Sequence, residues 1–182
     1  MLETSEVLFR GEFRLKIPFK DIQTLSSQDG ELSLRFSDGT AVFELGKQAA
    51  AWEDKIRSPR GRMQKLGIKD GMKVGVLGVD DHEFIDELSA QVGELCQPGA
   101  RDQDVIFYEA EEPADLGRLL ELRSLIAGKG VIWVVSPKGK TARIKDTDVM
   151  AAAREAGLVD TKVVGFSDTH TALKLVIPVA KR

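Results

Sequence analysis

The sequence predicts a two-domain α+β protein on three observations. Apolar residues alternate up to residue 45, helical spacing replaces the alternation after Gly46, and strand and helix segments alternate from residue 73 onward. The first domain, residues 1–58, is expected to be a small antiparallel β-sheet with one capping helix. The second, residues 71–182, is expected to be a short three-layer α/β unit closed by a β-hairpin. Residues 59–70 are expected to link the two.

In the first domain, Phe13, Leu15, Ile17 and Phe19, then Leu32, Leu34 and Phe36, then Ala41, Phe43 and Leu45 recur at every second position, as half-buried strands require. Asp29-Gly30 and Asp38-Gly39 supply residues that tolerate positive φ at the turns of a meander. Ala49, Trp52 and Ile56 then share one helix face that can cover the sheet, with Pro59 just past the helix end. The next stretch is basic. Lys55, Arg57, Arg60, Arg62, Lys65 and Lys69 occur with no carboxylate between Lys55 and Lys69, and Pro59 and Gly61 interrupt regular structure. With no aromatic residue interleaved for base stacking, this reads as a solvated connector rather than a nucleic-acid strip.

In the second domain, Lys73 to Val79 reads as a strand. Asp81 to Val92 reads as a helix with Phe84, Ile85, Leu88 and Val92 inward, and Val105 to Tyr108 as the next strand. Pro113 suits the first turn of a helix carrying Leu116, Leu119, Leu120 and Ile126, with Gly128 ending it. Val131 to Val135 is a third strand, a helix runs from Asp146 or Thr147 to Gly157, and 162–166 with 173–177 close a hairpin. This is a reduced Rossmann-like unit.

Bulk properties narrow the function classes. The 182 residues carry 42% hydrophobic and 30% charged side chains and a net charge of −3, which gives no general attraction to nucleic acid or anionic membrane. The single cysteine, Cys96, cannot form an internal disulfide or a thiolate metal cluster, and no apolar run approaches the roughly 20 residues of a spanning helix. The N-terminal ten residues are unlike a secretory signal. The expectation is a cytoplasmic protein away from membranes, with a small molecule or a protein as partner and room for homo-oligomerisation.

The spacing of KLGIKDGMKV, DVIFYEA, GKGVIWVVSPKGK and AAAREAGLVDTKVV ahead of LKLVIP resembles a bacterial family of short proteins of unknown function, the domain numbered three thousand and fifty-two. The resemblance covers about residues 66–178 and implies no activity or site. The N-terminal sheet and helix are loosely similar to a truncated pleckstrin-like module. REAGLVDTKVVGFSDTHTALKLVIP resembles the C-terminal part of class I methyltransferases, whose last helix also leads into a hairpin. That likeness implies strands in the order first, second, third, with the hairpin's antiparallel strand inserted beside the third. It also implies a cofactor beyond the carboxyl ends of the strands. The chain departs from that family in lacking its glycine-rich first loop, the acid that holds the ribose, and enough residues for all its strands.

The loops at that edge hold the candidate residues. Gly75 and Gly78 in VGVLGVDDHEF suggest a nucleotide loop, but the third glycine is missing. Asp80 is expected to cap the following helix, with Asp81 next and Glu83 at capping-box spacing, so carboxylates would fill the potential that phosphate needs. His82 in the same turn is read as solvent-facing. Glu109, Glu111, Glu112 and Asp115 are read as helix-start acids and match no calcium loop.

Ser136, Lys138, Gly139 and Lys140, with Arg143 and Lys145 nearby, form the one basic loop on the edge; an anion contact and a solvated turn both remain open. Ser167, Asp168, Thr169 and His170 sit in one tight turn, which splays side chains that a triad must converge. Four strand steps of about 4.8 Å separate the first strand from the outer hairpin strand, roughly 19 Å, which argues against His82 and His170 sharing a site. Trp133 is assigned to the core and Cys96 to a structural role.

No catalytic residue, metal set or cofactor is expected. The sequence favours a non-catalytic binding or regulatory module. The alternatives are an S-adenosylmethionine- or nucleotide-binding methyltransferase-like enzyme, and an oligomeric scaffold or nucleic-acid contact through the basic linker.

Overall fold

The computed structural model describes residues 1–3, 6–58 and 61–181, which form two compact units, residues 1–61 and 62–182. In the first unit, strands β1 (Glu6–Arg10) and β2 (Arg14–Pro18) pair as one antiparallel sheet, with Val7 opposite Ile17, both buried. Strands β3 (Ile22–Gln28), β4 (Glu31–Phe36) and β5 (Gly39–Glu44) form a second. The expected antiparallel meander is present, divided between two sheets. Phe13 departs from its expected strand position. It lies in the bend between β1 and β2, is 61% exposed, and rests its ring 5.0 Å from that of Phe9. Helix α1 (Ala49–Arg57) covers β3 and β4, burying Ala49 and Ile56 against Leu32 and Leu34. Glu53 fastens it. Its carboxylate accepts from the Ser27 amide at 2.8 Å, from the Ser27 hydroxyl, and from Arg57 Nε at 2.8 Å.

The second unit opens with helix α2 (Arg62–Leu66), followed by β6 (Val74–Leu77), α3 (His82–Val92), β7 (Gln103–Glu109), a 3₁₀ segment (Pro113–Arg118), α4 (Leu119–Arg123) and β8 (Ile126–Pro137). Helix α5 (Asp146–Glu155) and strands β9 (Val159–Gly165) and β10 (His170–Val176) complete it. The sheet order is β6-β7-β8-β10-β9, with β6, β7 and β8 parallel and β10 antiparallel to both its neighbours. The expected strand order and hairpin insertion are therefore present.

Successive residues of β7 and β8 serve opposite faces, as strand pleating requires. Val105, Phe107, Trp133 and Val135 join Phe84 and Leu88 of α3, while Ile106, Tyr108, Ile132 and Val134 join Leu119, Leu122, Val149 and Ala153 of α4 and α5. Trp133 is buried and donates from Nε1 to the Leu66 carbonyl at 3.2 Å.

Two expectations are corrected. Residues 62–70 are part of the second unit rather than a linker, because Leu66 and Ile68 bury their side chains in its core. The helix expected to reach Ile126 and stop at Gly128 instead ends at Arg123. Ile126 already pairs with Gln103, so β8 starts earlier, and Leu120 is left 63% exposed.

Gly75 is a packing position within β6 and not part of a loop. A β-carbon there would come within 2.1 Å of Gln103 Oε1, on a buried amide whose nitrogen donates to the Ala100 carbonyl at 2.7 Å. Gly75→Ala is expected to cost about 1–3 kcal/mol through overpacking, read as a lower denaturation midpoint with an unchanged slope.

Candidate functional site

The carboxyl ends of the parallel strands, the start of α3 and the hairpin tip enclose a cavity of about 600 Å³. Each contributor is placed by a local rule. Gly78, at φ +80°, turns the chain sharply out of β6. Asp81 then caps α3, its Oδ1 accepting from the Phe84 amide at 2.8 Å. This corrects the expected cap: Asp80 is one residue too early, with a side chain 90% exposed, and Glu83 is therefore not at capping-box spacing. His82 points to solvent at 94% exposure, 3.8 Å from Asp80.

The centre of the site is a pair that the sequence did not expose. Glu109 ends β7 aligned with Val135 of β8, and His170 starts β10 opposite Pro137. The two side chains meet across the end of β8, His170 Nε2 to Glu109 Oε1 at 3.3 Å, with only 25% and 15% of their surfaces exposed. His170 Nδ1 also lies 2.8 Å from the Thr169 hydroxyl, and Glu109 accepts from the Asp80 amide at 3.3 Å. Burial raises the Glu109 carboxyl pKa above its ordinary value, with the Asp80 amide and His170 pulling the other way.

Arg62 was assigned to the linker but lines this cavity. It donates to Asp81 at 2.7 Å and to Glu87 at 3.2 Å, and its guanidinium lies 5.3 Å from the Phe84 ring centre and 5.6 Å from that of Phe166. Burial favours the neutral form of Asp81. The Phe84 amide and Arg62 outweigh it and hold the carboxyl below its ordinary value.

The remaining candidates divide by place. Asp80 and His82 line the cavity, together with His170, so the two histidines share one cavity although strand counting separated them. The count went to the outer strand β9, whereas His170 opens the inserted strand β10. Gly78 and Asp80 line a neighbouring acidic groove with Glu111, Glu112, Asp115 and Arg118. The basic loop lies outside the cavity. Ser136 is buried in β8 opposite Thr171, Lys138 donates from Nζ to the Ser167 carbonyl at 2.9 Å, and Gly139 turns at φ +78° beside exposed Lys140.

The acidic loop is largely self-satisfied. Asp115 accepts the Glu111 and Glu112 amides, each at 2.9 Å, and Glu112 pairs with Arg143. Among the described residues no group of three His, Cys, Asp or Glu side chains is arranged to hold a metal ion. No described helix is long and apolar enough to cross a membrane. The basic strip is partly spent: Arg57 binds Glu53 and the Leu25 carbonyl, and Arg62 is held as above. Pro59 and Arg60 lie outside the described residues.

This five-stranded sheet, with an antiparallel strand inserted next to the outermost one, is similar in fold to solved methyltransferases. An S-adenosylmethionine-dependent methyltransferase from Aquifex aeolicus superposes with a TM-score of 0.52 at 16% identity, covering 64% of this chain and 87% of that one. Aeropyrum pernix fibrillarin, solved with natively bound S-adenosyl-L-methionine, matches at a TM-score of 0.46 and 12% identity over 85% of this chain and 99% of its own. A TehB-like methyltransferase from Corynebacterium glutamicum matches at 0.43 and 12%, over 71% and 96%.

By sequence the chain belongs to the family described as "Protein of unknown function (DUF3052)", whose model matches residues 63–179. No curated protein matches it.

Proposed function

We propose that this chain is a non-catalytic binding or regulatory module of the cytoplasm, built on a shortened methyltransferase-like sheet, whose strand-end cavity takes a small molecule. The observation that carries this reading is the cavity's composition. Its volume of about 600 Å³ suits a small ligand, and Val79, Val135 and Phe166 give it an apolar wall. The helix start that would cradle phosphate in a nucleotide enzyme is filled by the Asp81 cap and its ion pair with Arg62.

A fragment screen on the isotopically labelled intact chain tests the reading. Ligands are expected to shift the signals of Val79, Asp168 and His170 together. Hits confined to residues 1–61, or scattered without a common site, would contradict it.

The second reading, an S-adenosylmethionine-dependent enzyme, draws on the likeness to the Aquifex aeolicus fold. Micromolar saturable heat on titrating S-adenosylmethionine into the intact chain would favour it over the first.

A further inference from the structure

We propose that the cavity selects a small organic cation, an ammonium group on an apolar body, seated on Glu109 beside His170 and released when Glu109 takes up a proton. The inference rests on the cavity being a binding site and adds the ligand's charge and a regulating proton.

Three observations converge. First, the pair is a built feature and not a loose cluster. Glu109 and His170 come from different strands, each more than two-thirds removed from solvent, and the imidazole is held on its other side by the Thr169 hydroxyl. Glu109 turns Oε1 to His170 and accepts the Asp80 amide on Oε2, and the lone pairs left on the carboxylate offer an ammonium an acceptor and a partner charge.

Second, the charges facing His170 are mostly negative. Glu109 faces it from β7, and Asp80, Asp81 and Glu83 face the same space from the start of α3, beside the exposed His82. Asp168 comes from the hairpin tip, and Glu111 and Arg143 lie across an adjoining groove that His170 also lines. The cavity's one arginine, Arg62, is bound to Asp81 and Glu87, so it offsets those carboxylates rather than offering a free anion site. Third, Val79 and the small exposed edges of Val135 and Phe166 give part of the lining an apolar character.

The proton dependence follows in sign. Protonating Glu109 removes the charge that seats the ammonium. Burial raises the Glu109 carboxyl above its ordinary value, so this loss sets in at higher pH than for an exposed glutamate. Cation binding therefore weakens as pH falls.

The test uses three probes of similar shape on the labelled intact chain: 2-phenylethylamine as the ammonium, 3-phenylpropionate as the carboxylate, and 2-phenylethanol as the neutral form. The amine alone is expected to saturate shifts at Val79, Val135, Phe166 and His170 at pH 8, at millimolar concentration. Its affinity should fall as pH is lowered from 8 to 5, and about tenfold or more in Glu109→Gln at pH 8. Should Glu109→Gln fail to give a folded spectrum, the wild-type pH series and the charge series still decide.

Equal binding of all three probes, preference for the neutral or anionic one, or amine binding indifferent to pH would overturn the inference while leaving a binding cavity in place. Silence from every probe and every fragment would sink the binding reading itself.

Discussion

Replacing Phe84 with alanine is expected to cost the second unit about 3–5 kcal/mol, the usual range for truncating a buried aromatic ring. The ring is fully buried between the Phe107 and Phe166 rings, at centroid distances of 4.8 and 4.7 Å, with Arg62 against it. Its removal leaves a void that Phe107, Phe166 and Arg62, from separate stretches of the chain, cannot close together. Because Phe166 also walls the cavity, the loss should loosen the site and the fold at once. Denaturant unfolding followed by Trp133 fluorescence in a Trp52→Phe background reads the stability change, and a cost below about 1 kcal/mol would contradict the packing described.

The second large effect is expected at Arg62. Arg62→Met keeps the stem over the two phenylalanine rings and removes the guanidinium, leaving Asp81 and Glu87 facing each other's charge. The side chain is 16% exposed and its partners 27% and 42%, so solvent screens part of the interaction. A loss of about 2 kcal/mol is expected at neutral pH, below that for a fully buried pair.

The pH dependence has a definite sign. Asp81 is held below its ordinary value in the folded protein despite the opposing effect of burial. Its contribution is therefore complete above the ordinary aspartate range and is lost as pH falls through the depressed folded value. The stability difference between Arg62→Met and the wild type should shrink over that acidic interval. A difference that grows on acidification would exclude the Arg62–Asp81 pair as its source.

Much of the architecture was legible because the apolar periods are clean. Ile106, Tyr108, Ile132 and Val134 against Val105, Phe107, Trp133 and Val135 specify two buried faces and hence three layers. What failed depended on partners distant in sequence. Periodicity carried Ile126 into a helix, whereas its pairing with Gln103 draws it into β8. The charge run at residues 62–69 looked like a connector because its apolar members, Leu66 and Ile68, are few, and the core they enter is formed by residues far along the chain.

The site divided in the same way. The acidity of the α3 start could be read locally, and only its cap was misplaced, by one residue. The Glu109–His170 pair could not, since it depends on the register of β8 with both β7 and β10. A trace of it was present all the same. Glu109 follows Phe107 by two residues and His170 precedes Ala172 by two, so each shares the sheet face of a core residue at the strand ends.

In the proposed binding module the start of α3 is closed to phosphate by its own carboxylates, with Asp81 capping the helix and paired to Arg62. The most direct measurement is a titration of the labelled intact chain with ADP at low salt, followed through the amide signals of residues 82–84. Those signals are expected to stay in place through millimolar ADP. A saturable shift there with a submillimolar dissociation constant would contradict it.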